Sequence, residues 1–255
     1  MRLALHAEWT KLRTQPGTAA LLIGAVVLTV GLSTAVAATS TTASASDPAK
    51  LALTGIYLGQ VVVASLSVLV IGGEYSTGMI RTTLGAMPRR WTVLAAKATL
   101  VAGAAAAAGV VGVLGSLLAG ALILPGHGFT TAHGYPPLSP GDGAVLRAAV
   151  GSVLYLSLIA LLSLGVATAV RDSATAVGVV LALLFLFPIV ASVVSDPHWQ
   201  RHLQQIAPMT AGLAVQSTTG LHSLPIGPWA GLGVLAAWAA GSLLTGGLLL
   251  RLRDA

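Results

Sequence analysis

Apolar residues run through this chain in long unbroken blocks, without the alternation of a strand or the single stripe of a soluble helix. Uncharged runs occupy Gly17 to Ala38, Leu51 to Gly73, Ala98 to Leu124, Ala148 to Val170, Ser173 to Ser195 and Trp229 to Leu250. Each is long enough for a helix to cross the roughly 30 Å of bilayer hydrocarbon, which takes about 20 residues. Barrel strands are about 9–11 residues long and alternate in polarity, so a closed β-barrel does not fit. The pattern predicts an all-α membrane protein with six transmembrane helices in a single transmembrane domain over residues 1–255. The small-residue stretch after the first run, AVAATSTTASA, leaves a cleavable signal peptide as the rival reading of that run.

The segments between the runs carry their own patterns. In residues 1–15, Leu5, Trp9 and Leu12 recur at helical spacing, with Glu8, Lys11 and Arg13 mostly elsewhere around the helix. That arrangement predicts an amphipathic helix on the membrane surface, with Trp9, Lys11 and Arg13 at the interface. Pro16-Gly17 turns the chain into the bilayer. Residues 72–91 read GGEYSTGMIRTTLGAMPRRW. Ser76 or Thr77 is expected to cap a helix from Gly78, whose apolar stripe is Ile80, Leu84, Met87 and Trp91; Pro88 ends it. Glu74 has four candidate roles: pairing with Arg81, pairing with Lys97, capping this helix, or meeting a basic residue on a partner. The stretch from Asp196 to Gly227 is about half apolar and broken by Pro208 and Gly220. It is expected either to dip into the outer leaflet as two short helices or to form a surface loop. Asp172 or Ser173 is expected to cap the fifth spanning helix after the tight VRDSA turn.

Charge then orients the chain. Only 8% of residues are charged against 55% hydrophobic, so a soluble surface is missing. With the N-terminus inside, ten of the thirteen lysines and arginines fall on the cytoplasmic side and only Lys50, Arg147 and Arg201 outside. Both termini are therefore expected in the cytoplasm of a multi-pass protein of the cell membrane. The net charge of +6 follows this bias and points to anionic lipid, not nucleic acid.

Candidate chemistry is sparse. The chain has no cysteine, no GxxxxGK[ST] phosphate loop and no HExxH. His198 and His202 share a helical face without a third ligand beside them, which reads as interfacial polarity and not a metal site. All six histidines lie outside the expected spans, and no Asp, Glu, Lys or Arg lies in the middle of one. Ion-coupled transport usually needs such groups at depth. Gln60 is the clearest polar side chain in a span; it lines a translocation path or bonds a neighbouring helix. No catalytic, cofactor or metal residues are expected, and any uphill transport must draw on energy supplied from outside the chain.

Five features in order complete the pattern: AEWTKLRT at the start, GGEYSTGMIRTTLGAMPRRWTVLAAK between spans two and three, VRDSATAVG between spans four and five, the broken outer segment, and LRLRDA at the end. Together they resemble the permease subunits of type-2 ABC exporters of the actinobacterial kind. EYSTGMIR with the following PRR and Lys97 is the most specific part. The resemblance implies six transmembrane helices, pairing as a homodimer or with a related permease, and a separate cytoplasmic ATP-binding subunit that holds the ATP and Mg. It also implies a coupling segment over residues 74–92, with Glu74, Tyr75, Gly78, Arg81, Arg89 and Arg90 at the interface with that subunit. Residues 196–227 would match the re-entrant outer helices. The substrate class it leaves open is a drug, antibiotic, peptide or lipid; an apolar path favours an amphipathic molecule. The alternative is a membrane scaffold or assembly protein without transport.

Overall fold

The computed structural model describes residues 2–14, 16–41, 47–86, 90–139 and 141–252. Among these residues there are eleven α-helices and no strand. In chain order they are α1 (Arg2–Thr14), α2 (Pro16–Thr39), α3 (Pro48–Ala52), α4 (Ile56–Ser76), α5 (Met79–Ala86), α6 (Arg90–Ile123), α7 (Gly143–Val170), α8 (Ser173–Val193), α9 (Pro197–Ile206), α10 (Pro208–Leu213) and α11 (Pro228–Leu252). Six of them, α2, α4, α6, α7, α8 and α11, are long and apolar enough to cross a membrane. They coincide with the six uncharged runs, but their ends do not. Residues 51–55 belong to α3 and a turn, α4 runs on to Ser76, and α6 begins at Arg90. A helix continues until its backbone bonding is stopped, not until its side chains become polar. The overrun brings Glu74 and Lys97 inside continuous helices.

The core is built around α7, which packs against α4, α6, α8 and α11. Of the six long helices α4 and α7 are the most buried and α2 the least, so α4 and α7 form the centre. Tyr155 of α7 is fully buried there. Its hydroxyl donates to Gln60 Oε1 of α4, and Gln60 Nε2 lies 3.4 Å from Met209 Sδ of α10. Lipid provides no hydrophobic drive between helices, so close approach of backbones does much of the holding. The seam of α7 and α11 uses it: a Cβ on Gly165 would lie 2.5 Å from the Ser242 carbonyl carbon, and one on Gly246 would lie 2.6 Å from the Gly165 oxygen.

The segment from 196 to 227 separates into two different pieces. In α9 no residue is buried, and Asp196 caps it by accepting from His198 N and Trp199 N. Residues 207–217 are buried except Thr210, with α10 seated against α7, α8 and α11. The surface-loop alternative therefore fails for α10. Its backbone is covered by protein, as a non-spanning segment within a bundle requires. Asp47 ties this segment to the start of α3, which follows α2. Its carboxylate accepts from Lys50 N at the start of α3, and also from Thr218 N at 2.6 Å, Thr218 Oγ1 at 2.7 Å and Thr219 N at 3.1 Å.

Candidate functional site

The polar centre of the molecule lies at the end of the bundle that carries α1 and α5. Glu8 and Lys11, three apart on α1, face inward on one side of that helix. They meet Glu74 from the last turn of α4 and Lys97 from the first third of α6. Lys97 Nζ lies 2.7 Å from Glu8 Oε2 and 2.8 Å from Glu74 Oε1. Lys11 Nζ lies 2.7 Å from Glu74 Oε1 and 3.2 Å from Glu8 Oε1. Each ammonium touches both carboxylates, and each carboxylate touches both ammoniums, so the four charges close into a neutral ring. Lys97, Glu8 and Glu74 are buried, whereas the Lys11 side chain keeps 31% of its surface. A longer 3.5 Å contact from Lys11 Nζ to Thr83 Oγ1 brings α5 into the same cluster. Among the described residues, Glu74 Oε2 has no hydrogen-bond partner. Glu74 also lines a cavity of about 180 Å³ with Glu8, Lys11 and the backbone turn at Ser76 and Thr77.

Burial acts to lower the pKa of Lys11, but the hydrogen bond and charge of Glu74, helped by Glu8, outweigh it and hold the ammonium above its ordinary value. Buried ion pairs of this kind do more for geometry than for net stability, because desolvation offsets much of the attraction. They are costly to break singly, so the ring fixes where α1, α4 and α6 sit relative to one another.

The turn from α4 into α5 differs from the expected capping. Ser76 and Thr77 do not cap a helix from Gly78; both hydroxyls donate back to the Gly73 carbonyl and close α4. Gly78 follows at φ +71°, the left-handed conformation that ends helices and that a side chain disfavours. The chain then reverses into α5 at Met79. Ile80 is buried against Tyr75, Val93 and Leu250, while Ser76, Thr77, Gly78, Met79, Thr82 and Gly85 form an exposed rim.

The remaining sequence-derived residues divide by location. Tyr75 lies beneath the Arg171 guanidinium, whose carbon is 5.6 Å from the ring centroid. Arg90 reaches the end of α11: its Nη1 donates to the Leu250 carbonyl at 2.5 Å, while Arg171 Nη2 donates to that of Leu249 at 3.4 Å. Two guanidiniums thus satisfy the carbonyl end of α11, where positive charge is favoured. Arg89 and the side chain of Arg81 lie outside the described residues, as do Met87, Pro88 and the side chain of Leu84. Gln60 sits in the core with its amide engaged by Tyr155 and Met209, apart from the ring. Trp9 and Arg13 are exposed on the side of α1 away from Glu8. Of the two candidate caps for α8, Asp172 makes the bond, accepting from Thr175 N at 2.8 Å.

Glu8 and the depth of Lys97 are what sequence reasoning missed. Lys97 directly precedes an apolar run, which reads as a charge at the membrane edge. The available signal was pairing by spacing: Glu8 and Lys11 at i, i+3, with a lone acid and a lone lysine flanking the two halves of the next loop. No protein-family model matches the chain, and no curated protein matches its sequence.

Proposed function

We propose that the chain is the permease subunit of an ATP-driven exporter embedded in the cell membrane, with both termini in the cytoplasm. A separate ATP-binding subunit docks on the exposed rim of the α4–α5 turn. The observation that carries this reading is the ion ring: it clamps the end of α4 to α1 and α6, and α5, which follows α4 at the Gly78 turn and packs Ile80 against Tyr75 and Val93, passes force to that clamped junction. A helix held in this way at one end of a bundle suits mechanical input from a motor. The chain's lack of a phosphate loop, and of ionisable groups toward the middle of the spans, supports an external energy source. Two copies, or this chain and a related permease, enclose the path, and the substrate is amphipathic.

The test is co-purification from the native membrane in mild detergent. A nucleotide-binding subunit in stoichiometric amount is expected, together with its loss when residues 79–86 are scrambled while the six-helix chain still inserts. A folded chain that carries no ATPase would overturn the proposal in favour of a membrane scaffold.

A further inference from the structure

We propose that the groove between α2 and α6, roofed by Trp9, binds an anionic phospholipid whose phosphate meets Arg13 and whose acyl chain lies along α6. The groove measures about 610 Å³, and its walls are apolar apart from Thr99. Ile23 and Val27 of α2 and Val111 of α6 are each more than half exposed along it. Between Leu100 and Val111 the α6 wall is made of small residues such as Gly103 and Ala107, and a Cβ placed on Gly103 would meet no atom within 4 Å. The gap is therefore real space between two helices and not a seam awaiting closer packing.

Length and charge identify the occupant. The α6 wall runs from Thr99 to Val111. Twelve residues of helix rise about 18 Å, and one leaflet of a 30 Å hydrocarbon core is about 15 Å deep, so the groove matches one acyl chain from the leaflet on the α1 side. Trp9 closes its headgroup end, the level an indole prefers. Arg13 lies four residues further along α1, on the Trp9 face, and is exposed. It joins no ion pair among the described residues, whereas Glu8 and Lys11 neutralise charge on the opposite face. The mouth of the groove thus carries one uncompensated cation, which favours a phosphate bearing net negative charge over a zwitterionic head.

The experiment is native mass spectrometry of the full chain released from nanodiscs of equal parts phosphatidylglycerol and phosphatidylcholine. Retained lipid enriched in phosphatidylglycerol is expected. Arg13→Gln should reduce that enrichment about fivefold, the weight of one basic residue near an anionic surface, while total retained lipid persists. Arg251→Gln, an exposed arginine on another helix at the same end, should leave it unchanged. Gly103→Leu combined with Ala107→Leu should abolish retention of both lipids. Enrichment that is equal in wild type and Arg13→Gln overturns the proposal. So does a two-chain mass that separates only when the groove is filled, since the occupant is then a second copy. If the filled variant loses its helical circular dichroism, photo-cross-linking of the wild type decides: a diazirine in the acyl chain must label the peptide containing Gly103 to Val111, and labelling elsewhere alone overturns the assignment.

Discussion

Lys97 and Glu74 form a buried ion pair, Nζ to Oε1 2.8 Å, that joins the first third of α6 to the last turn of α4. Neither residue is committed to the other alone, because Glu8 and Lys11 complete the ring. Removing one member leaves an unbalanced buried charge, which costs about 3–5 kcal/mol. Lys97→Met should therefore lower the unfolding temperature sharply in detergent. The double variant Lys97→Met with Glu74→Gln leaves the Glu8–Lys11 pair intact and balanced. It should be less destabilised than Lys97→Met alone, a coupling read from a double-mutant cycle by tryptophan fluorescence. Additive losses would mean that the four charges do not act as a unit.

The Lys11 ammonium gives the ring an alkaline limit. Its pKa in the folded chain is raised above the ordinary 10.5 by Glu74 and Glu8. Stability from a raised lysine is fully present below the unfolded value and is lost as pH rises through the folded one. The docking of α1 should be indifferent to pH near neutrality and weaken only above about 10.5. Emission from a variant that keeps Trp9 as its sole tryptophan, followed through an alkaline titration, measures this. In Lys11→Arg the transition should move higher, since guanidinium stays charged. A transition near neutral pH would count against the lysine.

Close backbone contact makes the α7–α11 seam intolerant of added atoms. Gly165→Ala would set a methyl 2.5 Å from the Ser242 carbonyl carbon. Overpacking of this kind costs about 1–3 kcal/mol. Gly31→Ala in α2 meets nothing within 4 Å and should be neutral or stabilising by up to about 1 kcal/mol through helix propensity. Thermal melts of the two variants should separate in opposite directions.

Asp47 should govern how tightly the segment after α10 is held. It accepts two backbone N–H bonds and one hydroxyl bond from Thr218 and Thr219. Hydrogen bonds to a charged acceptor contribute about 1.5–3 kcal/mol each. In Asp47→Ala, amide hydrogen exchange at Thr218 and Thr219 should accelerate at least tenfold while α4 and α7 stay protected. Unchanged exchange there would show that burial of residues 207–217 alone holds the segment.

Length and apolarity are local properties, and a helix's ability to cross hydrocarbon depends on little else. The six long apolar helices were therefore legible from the sequence alone, and the cap of α8 was narrowed to Asp172 or Ser173, each set by residues within a turn or two of one another; the turn at Gly78 was not, because Ser76 and Thr77 close α4 instead of capping the next helix. What only the tertiary structure decided involves groups far apart in the chain. Gln60 meets Tyr155 and Met209 in the core, Asp47 reaches across to Thr218, and Arg90 turns to the end of α11. The ion ring is the sharpest case. From the sequence, pairing with Lys97 was one of four roles open to Glu74, and the structure realises it, but Glu8 read as a charge on a surface helix and Lys97 as one at a span end, where charge is ordinarily solvated. They become buried only because α1 folds back over the junction of α4 and α6, and a buried charge must then find its counter-charge from whichever helix supplies it.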